Sequence, residues 1–305
     1  MSETLATYSV PEHHVKMYTA NVRGALNKQG GILTPIVSSA PYTGEKSQVV
    51  NFIGKITFVE RTDPYGDTKL SELEHTQVWI TGKEYDCAVL IDRLDTLKMI
   101  YDPTSPYVER FREAAARKKD EIIMSKFYAD RKVGKDGTST SAFGSSNTVV
   151  HGTTGMTVAK LRSLRRLIKK RHVDIRTVRP FIAVTGEQAD NLLGETAVGS
   201  ADYNAVKPLV DGEVSSFMGF NFIPYEDDGD ALDGRGIPTH TDSGVIRECP
   251  VWVPDGMHFG MWDDLNIIIG PRADKNNIKQ IHGTFTAGGT RLEEGKVFKV
   301  ECKQV

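Results

Sequence analysis

Cysteine is scarce and long apolar runs are missing. Cys87, Cys249 and Cys302 are the 3 cysteines of a 305-residue chain. None falls in a C-x-x-C pair, so neither a disulfide framework nor a thiolate zinc site is expected. Three reduced thiols, mostly buried, are the reading that free cysteine usually supports. No window reaches the roughly 18 apolar residues that a membrane span needs. The opening residues, MSETLATYSVPEHH, lack the basic start and apolar run of a secretory signal. Folding in a reducing, aqueous compartment without a membrane partner is expected. An excess of positive charge is also lacking. Lys and Arg number 38 against 40 Asp and Glu, a formal net charge of −2. Any surface for nucleic acid must therefore be local.

Signatures of chemistry are absent as well. Lys135 follows Gly134, but the upstream glycine and following Ser or Thr of a phosphate-binding loop are missing. Gly288-Gly289 belongs to no G-x-G-x-x-G, and neither H-E-x-x-H nor G-x-S-x-G occurs. His13-His14 has only Glu12 as a neighbouring carboxylate and reads as a solvated pair. Asp227, Asp228, Asp230 and Asp233 miss the alternation and the twelfth-position Glu of a calcium loop. No catalytic residue, cofactor or metal is expected, and the chain is expected not to be an enzyme.

What is present is an ordinary globular balance, 39% hydrophobic and 26% charged residues, in an unusual order. The length admits one large domain or two. Residues 1–45 carry scattered apolar residues between Gly24, Gly30, Gly31, Pro35, Pro41 and Gly44. Leu26, Ile32, Leu33, Ile36 and Val37 need a surface, so an arm docking on something else fits. Residues 48–60 and 76–82 read as strands around the turn chemistry of Pro64-Tyr65-Gly66. A lone hairpin is marginal in water, so this excursion is expected to rest on the body or on a neighbour. Tyr65, Lys69 and Trp79 are its candidates for an inter-subunit contact.

Ser105 and Pro106 form a helix start. No Gly or further Pro follows until after Lys132, which predicts a helix over 106–132, ~40 Å long. Residues 84–100 are mixed, and 134–155 read as loop or weak strands. A second helix is predicted over 157–172, with Val158, Leu161, Leu164 and Ile168 as its apolar stripe. Its cations are Lys160, Arg162, Arg165, Arg166, Lys169, Lys170 and Arg171. That basic surface could meet phosphate or an acidic partner, although no aromatic side chains interleave for base stacking. Strands are predicted at 179–186 and 214–226, with a bend near Gly219, and a short helix stops at Gly194. Two β-runs are expected to flank a bend at Gly288-Gly289. Phe217, Phe220, Phe222, Trp252, Phe259 and Trp262 read as core.

Arm, excursion, very long helix, mixed α/β region and returning strand come in an order that resembles the major capsid proteins of tailed bacteriophages with the Hong Kong 97-type coat fold. The strings that carry the resemblance are DPTSPYVERF (102–111), TVAKLRSLRRLI (157–168), RPFIAVTGEQADNLLGE (179–195), SADYNAVKPLVDGEVSSFMGFNFIPYE (200–226) and GTFTAGGTRLEEGKVFKVEC (283–302). The resemblance implies an α+β fold with an N-terminal arm (1–45) and an extended loop (46–83) lying across a neighbour. It implies a peripheral domain (84–156) holding the spine helix 106–132, an axial domain (157–275) and a return to the peripheral domain (276–305). It further implies pentamers and hexamers in an icosahedral head, assembled in the bacterial cytoplasm around double-stranded DNA. A separate scaffolding protein, a portal and decoration proteins would be partners. The alternative with the same fold is the shell of an encapsulin-like nanocompartment.

Overall fold

The computed structural model describes residues 30–44, 46–54, 56–58, 60, 73, 75–91, 104–175, 177–195, 216–225, 236–242 and 244–304. In chain order, β1 (Ser38–Pro41) and β2 (Lys46–Ile53) precede β3 (His75–Thr81) and β4 (Lys83–Ile91). The long helix α1 (Thr104–Lys126) leads to β5 (Arg131–Val133), β6 (Ser139–Ser141) and β7 (Thr148–Val149). Helix α2 (Val158–Lys170), β8 (Phe181–Val184) and helix α3 (Gly186–Leu193) follow, then β9 (Ser216–Phe217), β10 (Phe220–Pro224) and β11 (Thr239–Thr241). The chain closes with β12 (Val245–Trp252), β13 (Met257–Arg272), β14 (Ile278–Arg291) and β15 (Val297–Lys303).

Three sheets organise these strands. One has the order β1-β13-β14-β4, a second β2-β3-β5-β6, and the third β7-β15-β12-β8-β10-β9 with β11 added to β12. Helix α1 lies on β13 and β14. Its Ala115, Ile122, Ile123 and Met124 are buried with Phe259, Phe285 and Ala287 of those strands. Helix α2 covers the third sheet, burying Leu161, Leu164 and Ile168 against Ile182, Val251, Phe298 and Val300. Each such side chain contributes ~1.5–3 kcal/mol on burial. Both joints therefore follow from an apolar stripe meeting an apolar sheet face. Helix α2 starts at Thr157, whose hydroxyl accepts from the Lys160 amide at 3.3 Å.

Helix α1 ends at Lys126, short of the predicted Lys132. Phe127 is fully buried and packs on Trp252 with ring centres 4.8 Å apart. That tertiary contact pulls the chain out of the helix, and β5 pairs with β3 instead. Residues 83–91 are a strand that sequence periodicity hides. Lys83, Glu84 and Asp86 break the apolar pattern, and pairing along β14 overrides it.

No bend occurs at Gly288-Gly289, because β14 runs straight through both. A Cβ on Gly288 would lie 2.4 Å from the Thr81 carbonyl oxygen, so glycine there serves close approach of β3 rather than a turn. The division expected at 275/276 falls in the turn of the β13–β14 hairpin, whose strands pair from Met257–Arg291 to Arg272–Ile278.

Candidate functional site

Residues 30–42 do not float. Gly30 crosses α1 so closely that a Cβ would sit 2.4 Å from the Arg117 amide nitrogen. The crossing delivers three amides to one carboxylate. Gly31 and Ile32 donate to Asp120 Oδ2 at 2.7 and 3.0 Å, and Leu33 donates to Oδ1 at 3.0 Å. Asp120 is 2% exposed. Burial pushes its pKa up, and the amides of residues 31–34 pull it back down.

A second fastening lies at His258 of β13. Ser38 Oγ donates to the Met257 carbonyl at 2.8 Å and lies 2.7 Å from His258 Nδ1. With its only proton used, Ser38 accepts from Nδ1–H, so Nε2 is the acceptor for the Tyr42 hydroxyl at 2.7 Å. Neutral His258 thus completes an unbroken chain of hydrogen bonds, and burial lowers its pKa. The arm expected to dock on something else therefore docks, over residues 30–42, on its own chain. Leu33 is fully buried there and Val37 is 7% exposed.

The excursion behaves differently. Strands β2 and β3 pair from Lys46–Thr81 to Ile53–His75. At the end of that ladder Ile53 is 63% exposed, and beyond it Ile56 is 60% and Phe58 98% exposed. These are apolar side chains that the chain's own core does not cover. Tyr65 and Lys69, candidates for an inter-subunit contact, lie outside the described residues. Trp79 has partners within its own chain. Its indole N–H donates to the Gly134 carbonyl at 2.7 Å and its ring rests against Gly137, so the β5–β6 turn of its own chain holds it.

The basic helix divides in two. Lys160 is 7% exposed and turned inward. Its ammonium donates to the carbonyls of Thr154, Gly155 and Glu301 at 2.7, 2.8 and 2.9 Å, and burial lowers its pKa. Lys160 cannot face a partner. Arg171 reaches back to Asn147 Oδ1 and Ser146 Oγ at 3.1 and 2.6 Å. Arg162, Arg165, Arg166, Lys169 and Lys170 are exposed on the outer face of α2. Spacing could have exposed the error: Lys160, Leu164 and Ile168 stand at i, i+4 and i+8, on the buried stripe. Asp120 carried a similar signal, lying three residues before Ile123 and seven before Phe127 in an apolar row.

His240, Glu248 and Glu301 bring ligand-type atoms within 4.8 Å of one another. The ammonium of Lys299 lies 2.7 Å from Glu248 and 3.8 Å from Glu301. The two carboxylates thus already have a resident cation, and the cluster is an ion network tying β11, β12 and β15 together. Tyr128 is held well above its usual pKa by burial, and its hydroxyl donates to the Glu248 carbonyl at 3.2 Å. These groups serve packing joints.

A cavity of about 250 Å³ opens between α1 and the sheet strands β4 and β14. Tyr85, Phe111, Leu265 and Phe285 supply its apolar lining, and Cys87, the exposed cysteine, stands in its wall. Cys249 and Cys302 are buried.

Comparison with known proteins turns these surfaces into a family assignment. No curated protein matches the sequence. Solved structures match closely in fold. The capsid of Helicobacter pylori bacteriophage KHP30 superposes with a TM-score of 0.72 at 8% identity, covering 99% of each chain. The Cyanophage Pam1 capsid gives 0.70 at 13% identity, again over 99% of each chain. The capsid of an empty GTA particle gives 0.67 at 15% identity over 100% of each. The α+β architecture is thus the Hong Kong 97-type coat fold. The nanocompartment alternative is not favoured. The model of the phage capsid protein family matches residues 10–304, nearly the whole chain, and the chain belongs to that family as a capsid subunit of the phage head.

Proposed function

We propose that copies of this chain assemble as pentamers and hexamers into an icosahedral head around the double-stranded DNA of a tailed phage. Assembly takes place in the bacterial cytoplasm, with a separate scaffolding protein, a portal and decoration proteins as partners, and the chain performs no catalysis. Residues 46–83 form the extended loop and α1 the spine of a peripheral domain, with 157–275 as the axial domain. Residues 276–305 return to the peripheral domain. Arg162, Arg165, Arg166, Lys169 and Lys170 of α2 face the packaged DNA.

The observation that carries this reading is the β2–β3 hairpin, at and beyond whose end Ile53, Ile56 and Phe58 are exposed. Exposed apolar patches mark surfaces where a partner binds, and heterologous contacts that close into rings build shells. Electron microscopy of the expressed protein, alone and with its neighbouring genes, is the test. Closed particles are the expected result; protein that stays monomeric under every condition would overturn the reading.

A further inference from the structure

Among the described residues, the most exposed large apolar side chain is on one part of the chain, and a cavity with an apolar lining is on another. Phe58 is 98% exposed, so it does not occupy the cavity of its own chain. The cavity between α1, β4 and β14 measures about 250 Å³. Pockets for small-molecule ligands start at roughly 300 Å³, so this one suits a side chain better than a metabolite. Its walls suit an aromatic ring in particular. Tyr85 and Phe285 stack with centres 5.3 Å apart, and Phe111 lies against the sheet at Gly283, where a Cβ would come within 2.9 Å of its ring. Aromatic rings gain offset or edge contacts beyond simple area burial.

Charge is mixed on both sides: Glu84 and Asp86 share the cavity lining with Lys118, and Lys55, Glu60 and Arg61 flank Phe58 in sequence. Leu90, Ile268 and Ile269, 40%, 56% and 46% exposed, fit less well, because they sit on β4 and β13, the sheet that builds the cavity.

We propose that Phe58 of one subunit inserts into the cavity lined by Tyr85, Phe111, Leu265 and Phe285 of a second copy of this chain. The proposal rests on the capsid reading and adds the specific knob and its receptor. Knob and receptor are different surfaces of the same chain, so the contact is heterologous and repeats around a ring.

Cys87 in the receptor wall makes the contact directly testable. Phe58→Cys places a thiol on the knob, while Cys249 and Cys302 stay buried. Assembled shells of the full chain are treated with glutathione disulfide as oxidant and run on a non-reducing gel. The expected result is a ladder of dimers and larger multimers, with loss of the monomer band. Reduction, or the second substitution Cys87→Ser, removes the ladder. If Phe58→Cys alone blocks assembly, it is co-assembled with excess wild-type chain, and the expected product is a dimer of one variant and one wild-type chain through Cys87. Shells of normal form whose subunits stay monomeric on the gel overturn the proposal, as does a bond formed within one chain. Failure of the wild-type chain to form shells at all counts against the capsid reading instead.

Discussion

Two consecutive segments of this chain, residues 30–42 and the β2–β3 excursion after them, are treated by the fold in opposite ways. Residues 30–42 are held by buried polar groups, with Asp120 and His258 taking up the amides and hydroxyls of the crossing strand. Among the described residues β2 is paired only through β3, and Ile53, Ile56 and Phe58 are exposed. Buried polar groups are stable only when every partner is satisfied, which demands the precision of a single folded chain. Exposed apolar groups need only a complementary surface, and that surface is free to come from another copy. The first segment is therefore part of the fold, and the second belongs to assembly.

Breaking the polar fastening gives the largest effect on folding. Asp120→Ala leaves three amides in a site where the residue itself is 2% exposed. Loss of the acceptor costs about 3 kcal/mol of stability, since each buried unsatisfied donor carries its own desolvation penalty. Asp120→Asn keeps one acceptor oxygen and recovers part of the loss. Urea unfolding of the unassembled chain measures both. A change under about 0.5 kcal/mol, the range of surface substitutions, would dissolve the distinction between the two segments.

Acid should loosen the same segment through His258. Burial lowers the folded-state pKa of this side chain, and histidine in an unfolded chain titrates near ~6.5. Below that value the unfolded state takes up a proton that the folded state resists, so stability falls with pH until the lowered folded pKa is passed. Above it, His258 contributes no pH dependence. Protonation also turns Nε2 from acceptor to donor, so the Tyr42 hydroxyl must reverse and accept. Unfolding at pH 7.5 and pH 5 should show a larger acid loss for wild type than for His258→Gln. Equal losses would remove His258 as a fastening.

The excursion should respond in reverse. Phe58→Ala is expected to change chain stability by no more than about 0.5 kcal/mol, because its ring is 98% exposed. Shell formation should fall sharply, as truncating a central aromatic anchor costs ~2 kcal/mol or more at an interface. Sedimentation of assembly mixtures, beside urea unfolding of the same preparations, separates the two effects. Normal shells from Phe58→Ala would show that the exposed ring is incidental.

Sequence patterns revealed what periodicity and turn chemistry control. The stripe of α2 and the stop at Gly194 are local, and local signals report them, whereas α1 begins at Thr104, one residue before the expected cap Ser105. Contacts between distant residues left weaker traces. The end of α1 depends on Phe127 meeting Trp252, and the straight course of β14 on Thr81 approaching Gly288. Strand β4 depends on β14 as its partner. Lys160 and Asp120 were visible as charges on apolar rows, but only the fold supplies the carbonyls and amides that satisfy them. The fastening of Ser38 and Tyr42 joins residues more than two hundred positions from His258, and no window of sequence contains it.

Helix α2 repeats the contrast within a few turns, and it predicts the smallest effect on folding. Lys160 is inward with three carbonyl partners, whereas Arg165 and Arg166 are exposed and pair with no described carboxylate. Reversing the latter two with Arg165→Glu and Arg166→Glu should shift stability by about 0.5 kcal/mol or less. If that face meets packaged DNA, the loss appears elsewhere. Phosphate contacts release counterions, so their contribution weakens steeply with salt. The charge-reversed shells should form normally, retain less DNA, and show a shallower dependence of retention on salt than wild type. Equal filling across a salt series would leave the five outward cations of α2 as a solvated face. The assigned cations of the helix would then be the inward Lys160 and Arg171, which holds Asn147 and Ser146.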